Sequence, residues 1–184
     1  MPAAPASILL APMGRLTPSD LAPLAAPLSA VFGREARVLD ARLDCGFAFE
    51  PDRRQYDASK LMLGLRELFP ECRGKIVGVT ADDLFAPCLT WVFGQGQVDG
   101  PLAVVSRHRI DEAFYGRPTS PEREHRRLLT EISHELGHTF GLLHCRDEHC
   151  AMRWSETIEQ IEAKGAALCL DCSRRAQLLS RRVA

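Results

Sequence analysis

The chain has 184 residues, of which 46% are hydrophobic and 26% are charged, and its formal net charge is −1 at pH 7. This length suits a single domain over residues 1–184, with a sizeable core. The near-zero charge gives no electrostatic basis for binding nucleic acid or an anionic membrane, so we expect neither partner. The apolar runs are much shorter than the ~20 residues that span a bilayer.

The cysteines and the N-terminal residues predict a cytoplasmic protein. Seven cysteines are an odd number, and Cys169 and Cys172 form a CxxC motif. This pattern favours metal-binding thiolates in a reducing compartment over a disulfide framework. The N-terminal residues lack the basic segment and the long apolar core of a secretion signal. Three isolated cysteines are interpreted as small buried side chains: Cys45, Cys72 and Cys88.

The first half of the chain alternates between predicted strands and predicted helices. Strands are predicted at residues 7–14, 34–40 and 75–81, and helices at residues 18–33 and 56–69. Thr17 or Ser19 lies near the start of the first helix and Gly33 just past its end. The second helix is indicated by apolar residues at helical spacing. This βαβαβ order predicts a parallel twisted sheet with right-handed crossovers.

Two further strands and a long helix follow. Residues 89–97 and 102–110 predict a hairpin around a Gly-rich turn, which adds an antiparallel strand at the edge of the sheet. Residues 117–144 predict one long helix. The predicted fold class is therefore α/β, with a twisted mixed sheet of about five strands. We expect an N-terminal subdomain over residues 1–141 and a small C-terminal subdomain over residues 142–184.

The segment HELGHTFGLLH holds three histidines at regular spacing within the long helix and just after it. At about 100° per residue, His134 and His138 lie on one side of a helix, with Glu135 near them. The opposite face is apolar and is predicted to be buried: Leu128, Leu129, Ile132, Leu136, Phe140 and Leu143. An isolated HxxxH is more often a solvent-facing pair. Here, however, Gly141 can stop the helix and let His144 complete a three-histidine site.

Three neutral imidazoles and an open fourth position describe a catalytic zinc site. From its helical position, Glu135 is poorly placed to bind the metal, but it can reach a zinc-activated water, whose pKa is lowered toward ~7. Glu135 would then act as the general base and carry the proton to the leaving amine. The motif therefore predicts peptide-bond hydrolysis without a covalent intermediate.

Four cysteines near the C-terminus predict a second metal site. They form two pairs: Cys145 with Cys150, and Cys169 with Cys172. Four thiolates in a tetrahedral array make a closed structural zinc site, and a predicted helix at residues 155–164 lets the second pair fold back onto the first. Free buried thiols and a redox CxxC are the alternatives. We expect two zinc ions, one catalytic and one structural, and an exposed loop position for the spare His149.

The composite motif is recognisable. HELGHTFGLLHC, followed by Cys150, Met152, Cys169 and Cys172, resembles the archaemetzincin family of zinc metallopeptidases. The resemblance extends upstream to RRQYDASKLM, KIVGVTADDLFAPCLTWVFGQ and LAVVSRHRI, so it covers most of the chain from residue 50 to residue 173. It implies a metzincin-like fold with an active-site helix and a small zinc-bound C-terminal subdomain.

The resemblance also implies roles for single residues. Glu135 matches the general base, and Met152 matches the Met-turn residue that lies beneath the zinc, although it can equally be a core methionine. The matching catalytic zinc ligands are His134, His138 and His144, and the structural zinc ligands are Cys145, Cys150, Cys169 and Cys172. Many metzincins have a tyrosine just after the Met-turn. Here Arg153 and Trp154 follow, so no such contact is assigned.

The resemblance implies that the antiparallel edge strand, roughly Leu89 to Gln95, borders the cleft and pairs with a peptide substrate. Trp91 or Phe93 either lines a substrate pocket or packs in the core. Residues 173–184 predict a solvated terminal helix, with a partner-binding helix as the alternative.

The leading function is a monomeric, cytoplasmic zinc peptidase that acts on a peptide or protein substrate. One alternative is a catalytically silent or latent zinc-binding interaction protein. The other is a zinc hydrolase of a non-peptide amide. The retained Glu135 favours an enzyme, since a retired active site often loses its base.

Overall fold

The computed structural model describes residues 7–180. Residues 1–6 and the last part of the predicted terminal helix, 181–184, lie outside the described residues. In chain order, the elements are β1 (Ile8–Pro12), α1 (Pro18–Phe32), β2 (Ala36–Val38), β3 (Phe49–Glu50), β4 (Gln55–Asp57), α2 (Ala58–Leu68), β5 (Lys75–Thr80), β6 (Leu84–Phe85), β7 (Gly94–Gly96), β8 (Leu102–Ser106), α3 (Pro121–Thr139), α4 (Ile158–Ala163) and α5 (Leu170–Ser180). No helix among these has the length and apolar character needed to cross a membrane.

The main sheet is mixed and has five strands in the order β2-β1-β5-β8-β7. Its pairs are parallel except for β7, which runs antiparallel to β8 at the edge. Alternate residues of β1 contribute to two hydrophobic clusters, one with α1 and α3 and the other with α2, so helices cover both faces. These observations confirm the predicted α/β fold with an antiparallel edge strand.

Local signals account for the first two helices. The Asp20 carboxylate accepts hydrogen bonds from the N–H and the hydroxyl of Thr17, and Gly33 ends α1 in the left-handed region at φ 62°. Asp57 caps α2 by accepting from two backbone N–H groups, those of Ser59 and Lys60. These caps satisfy donors that the first turn of a helix leaves without intrahelical partners.

Helix α3 ends earlier than the sequence predicted. It spans residues 121–139, because Gly141 adopts φ 84° and reverses the chain. The Lys75 ammonium donates to the Thr139 carbonyl at 2.7 Å, which satisfies an acceptor at the negative end of the helix. Leu143 therefore lies beyond the helix and is 70% exposed, so its predicted place on the buried apolar face was wrong.

The predicted hairpin is also shorter than expected. Only residues 94–96 pair with β8, and the carbonyls of Leu89 and Thr90 instead accept hydrogen bonds from the Arg53 guanidinium. A small second sheet, β3-β4-β6, was not predicted, because strands of two or three residues carry no periodicity. Cys88 is exposed, contrary to the predicted burial, whereas Cys45 is buried.

Residues on both sides of position 141 contribute to one hydrophobic cluster, which joins β1, α1 and α3 to Leu142, Met152 and Ile161. The subdomain boundary at this position stays a prediction.

A buried ion network adds polar contacts between α3 and its surroundings. The Arg127 guanidinium, 1% exposed, binds Glu112 at 3.1 Å, Glu162 at 2.7 Å and the Ile110 carbonyl at 2.9 Å.

We predict that Arg127→Leu lowers the free energy of unfolding by about 1–3 kcal/mol, because the Ile110 carbonyl and the buried Glu112 carboxylate each lose a hydrogen-bond donor, although Arg123 still pairs with Glu112 at 2.8 Å. Arg126→Leu is the matched control on the same helix, since the Arg126–Glu122 pair is exposed, and its effect should stay within about 0.5 kcal/mol. Urea unfolding curves measure both values. Equal effects of the two substitutions would contradict the prediction.

Candidate metal centre

Three histidines converge at the end of α3. His134 and His138 lie one turn apart on the helix, and the reversal at Gly141 returns His144 to them. One ring nitrogen of each histidine lies within 4.8 Å of the others, and the Nε2 atoms of His134 and His138 are 3.2 Å apart. The structure therefore brings together the three side chains that the motif singled out.

Backbone carbonyls orient two of the three rings. The Nδ1 atom of His134 lies 2.8 Å from the Ala151 carbonyl oxygen, and the Nδ1 atom of His138 lies 2.8 Å from that of Leu142. A carbonyl can only accept, so Nδ1 carries the proton and donates in both rings. Each Nε2 is then left with its lone pair free, which is the arrangement that a metal-binding histidine needs.

All three imidazoles are uncharged near neutral pH. Burial, together with the positive charge of Lys164, lowers the pKa of His134 to about 2. Burial also lowers the pKa of His138 and of His144. Metal binding requires neutral imidazole, so these three convergent nitrogens fit a zinc ion by both chemistry and geometry.

Glu135 lies under the edge strand of the sheet. It is 5% exposed, and its carboxylate accepts a hydrogen bond from the Gly96 N–H. Burial raises the pKa of Glu135 well above its usual value, and the nearby Glu131 raises it further. A carboxyl group with a raised pKa is a better proton acceptor than an ordinary glutamate.

Two glycines allow this close approach of β7 to α3. A Cβ atom at Gly96 would lie 2.5 Å from the Glu135 carbonyl oxygen, and one at Gly94 would lie 2.8 Å from the Glu135 Cγ. The sequence analysis did not assign a role to either glycine. Their signal was the GxG pattern inside a predicted strand, where glycine marks close approach of another backbone.

Met152 is buried beneath the histidine-bearing turns. It is 0% exposed, and its sulfur packs into the space that a Cβ at Gly137 would fill. Its carbonyl accepts from the Cys145 N–H at 2.9 Å. Because Gly137 has no side chain, it makes room for the methionine of the following turn.

The four C-terminal cysteines form a second cluster. Their Sγ atoms all lie within 4.8 Å of one another, and those of Cys145 and Cys169 are 3.9 Å apart. Sulfurs in a tetrahedral site with Zn–S bonds of ~2.3 Å are about 3.8 Å apart, whereas a disulfide needs ~2.0 Å. The Cys150 sulfur also accepts from the Cys169 N–H at 3.3 Å. The spacing and donor type fit a zinc ion.

A cleft of about 420 Å³ opens above the histidines. Residues 89–96 line it together with Glu131, Glu135 and the segment from Trp154 to Glu156. Trp91 and Phe93 both face the cleft, and Phe93 is also part of the core. The Arg109 guanidinium stacks on Trp91 and pairs with Asp83 at 2.7 Å, which holds this wall in place. The spare His149 is exposed, as predicted.

Residues 41–178 match the sequence profile described as Peptidase family M54. The chain belongs to peptidase family M54. It is 38% identical to the archaemetzincin of Methanopyrus kandleri over 130 residues, which cover 71% of this chain and 70% of that protein. It is 36% identical to the archaemetzincin of Thermococcus kodakarensis over 129 residues, which cover 70% and 69% of the two chains.

Solved structures of the family agree with this fold. A zinc-dependent peptidase from Methanocorpusculum labreanum superposes with a TM-score of 0.83 at 28% identity, over 92% of this chain and 100% of that one. The archaemetzincin of Methanopyrus kandleri superposes with a TM-score of 0.79 at 31% identity, over 97% of this chain and 98% of that one. The expected resemblance is confirmed, and membership of the family makes the protein a zinc metallopeptidase, a hydrolase.

We predict that Gly96→Ala lowers the free energy of unfolding by about 1–3 kcal/mol, because the added methyl group meets the backbone of α3 at Glu135. Gly165→Ala is the matched control. Its Cβ would have no neighbour closer than 3.8 Å, so stability should be unchanged or slightly higher. Thermal unfolding of both variants measures the difference, and a fully stable Gly96→Ala protein would show that β7 does not need this glycine.

Proposed function

We propose that this M54 peptidase hydrolyses peptide bonds with a catalytic zinc ion held by His134, His138 and His144, and with Glu135 as the general base. The observation that carries the proposal is the position of one buried carboxylate beside three convergent, uncharged imidazoles at the base of an open cleft. Zinc in this donor set supplies a Lewis acid that polarises the scissile carbonyl and makes water easier to deprotonate.

Glu135 moves the proton in this proposal. Its carboxylate takes a proton from the attacking water and then delivers it to the nitrogen of the leaving amine. The Gly96 N–H holds the carboxylate in place, and burial keeps bulk water from competing for the proton.

A second zinc ion at Cys145, Cys150, Cys169 and Cys172 is proposed to be structural. Four sulfurs leave no open position for substrate. The backbone joins this cluster to the histidines, since Cys145 follows His144 directly and Cys150 precedes the residue whose carbonyl orients His134. Binding zinc at the cysteines would therefore stabilise the neighbouring site as well.

The proposed substrate is an extended peptide or protein segment that lies in the cleft along β7. Only residues 94–96 have strand geometry, so backbone pairing is shorter than the predicted Leu89 to Gln95. Trp91 and Trp154 provide apolar surface in the cleft. A monomeric cytoplasmic enzyme without nucleic-acid or membrane partners remains part of the proposal.

We predict that Glu135→Gln lowers cleavage of a diverse peptide mixture by about 10²–10⁴-fold while zinc stays bound, because glutamine keeps the shape and cannot accept the proton. Mass spectrometry of the products gives the rates and the cleavage preferences. Glu156→Gln is the control, since this residue also lines the cleft but is exposed, and its cleavage rate should match that of the parent protein.

Each other outcome of this experiment has a distinct meaning. Equal cleavage by the parent and Glu135→Gln would reject the base role. A zinc-loaded parent that cleaves no peptide would favour the silent or latent binding protein. Cleavage confined to non-peptide amides would identify a different zinc hydrolase.

We predict that the double substitution Cys169→Ser with Cys172→Ser removes one zinc ion per chain and weakens zinc binding at the histidines by roughly tenfold or more. The loss of the cysteine site frees the segment that carries His144 and Ala151. Metal analysis and chelator competition measure both effects. Cys88→Ser, an exposed cysteine outside the cluster, should keep both ions. Two tightly bound zinc ions in the double variant would contradict the assignment.

A further inference from the structure

Lys164 is a buried cation behind the histidine site, and the proposed reaction gives it no role. It directly follows α4 and is only 3% exposed. Its Nζ donates to the Arg153 carbonyl at 2.7 Å and lies 3.8 Å from a carboxylate oxygen of Glu131. The same Nζ is 3.4 Å from the Nδ1 of His134. Lysine is almost never this buried unless it is paired.

A positive charge here carries an electrostatic cost for the site. An ammonium beside His134 repels any cation that the ring binds, and taking the charge out of water is itself unfavourable. The negative charge of Glu131 offsets both effects only in part, because its Oε2 has no hydrogen-bond partner among the described residues. Because the buried ammonium is unfavourable for both folding and metal binding, we expect a structural contact of Lys164 to make an offsetting contribution.

That contribution is visible in the backbone that Lys164 contacts. The turn at residues 151–153 presents two carbonyls to groups next to α3. The Ala151 carbonyl accepts from His134 Nδ1 at 2.8 Å, and the Arg153 carbonyl accepts from Lys164. Met152, between them, packs against Gly137 of α3. Lys164 thus joins the turn to Glu131 on the same helix that carries His134.

We propose that Lys164 is a positioning residue, whose ammonium fixes the turn at residues 151–153 against α3 and thereby holds the His134 ring in its metal-binding orientation. The proposal rests on the function proposed above, in which the histidines bind zinc. Glu131 balances the lysine charge, and the Arg153 carbonyl is the contact through which Lys164 acts.

Zinc affinity of the histidine site tests this role without any substrate. Lys164→Met keeps the length of the side chain and removes the ammonium. We expect zinc affinity at the histidines, measured by chelator competition, to fall roughly 10–100-fold, which is the usual effect of losing an outer partner of a metal ligand. Zinc affinity at the cysteines is measured alongside and should fall less than that at the histidines, because the turn at residues 151–153 joins the two sites. Lys60→Met, an exposed lysine on α2, should leave both affinities unchanged.

Two further variants separate positioning from charge balance. Lys164→Gln offers an uncharged N–H donor that is one atom nearer the backbone than the lysine nitrogen, so its affinity should lie between that of Lys164→Met and that of the parent. Combining Lys164→Met with Glu131→Gln should not restore affinity, because the carbonyl contact is still missing. Full restoration in this double variant would overturn the proposal, since neutralising Glu131 would then be the whole role of the lysine.

The outcomes also separate this proposal from the proposed function. A parent protein with no zinc at the histidines would reject the function itself. A parent that binds zinc, together with a Lys164→Met variant that binds it equally or more tightly, would reject only the positioning role. If Lys164→Met does not fold, Lys164→Gln carries the test alone, and an affinity more than 100-fold below the parent would contradict the proposal.

Discussion

The site depends on the burial of a polar stretch of helix. Residues 130–137 of α3 are all buried, although Glu131, His134 and Glu135 are among them. Burying a polar group is unfavourable unless it has a partner, and each of these three side chains meets a group from another element, although Glu131 has only an ion pair at 3.8 Å. The partners are the Lys164 ammonium, the Ala151 carbonyl and the Gly96 N–H. The contacts that allow this stretch of helix to be buried are therefore the same contacts that orient Glu131, His134 and Glu135.

Only a few residues separate the histidine cluster from the cysteine cluster along the chain. His144 and Cys145 are adjacent, and the Cys145 N–H binds the carbonyl of Met152, which lies beneath the histidines. Cys150 stands one residue before Ala151, the acceptor for His134. A shift of the cysteine cluster therefore moves a histidine ligand and its orienting carbonyl together. In the proposed function, zinc at the cysteines fixes a turn that has no regular secondary structure of its own.

Local signals in the sequence predicted the fold class and the two side-chain clusters that the structure brings together, because periodicity, caps and HExxHxxGxxH spacing act over a few residues. Two of the failures involve distant contacts. Arg53 takes the carbonyls of Leu89 and Thr90, which shortens the predicted edge strand, and no local pattern announces that interaction. Lys164 was missed for the same reason, since it lies 30 positions along the chain from the histidine it contacts. Leu143 was misplaced because a helical projection was continued past the glycine that ends the helix.

The edge strand β7 lies between the cleft and Glu135, and in the proposed function it connects substrate binding to proton transfer. An unpaired strand edge is normally a liability, and proteins keep such edges short or cover them. Here the edge is only three residues long and borders the cleft. The same three residues hold Glu135 through the Gly96 N–H and lie too close to α3 to accept a side chain at either glycine. In the proposed function, a peptide that pairs with this edge is aligned with Glu135 by the same three residues of backbone, so substrate binding and proton transfer share one alignment.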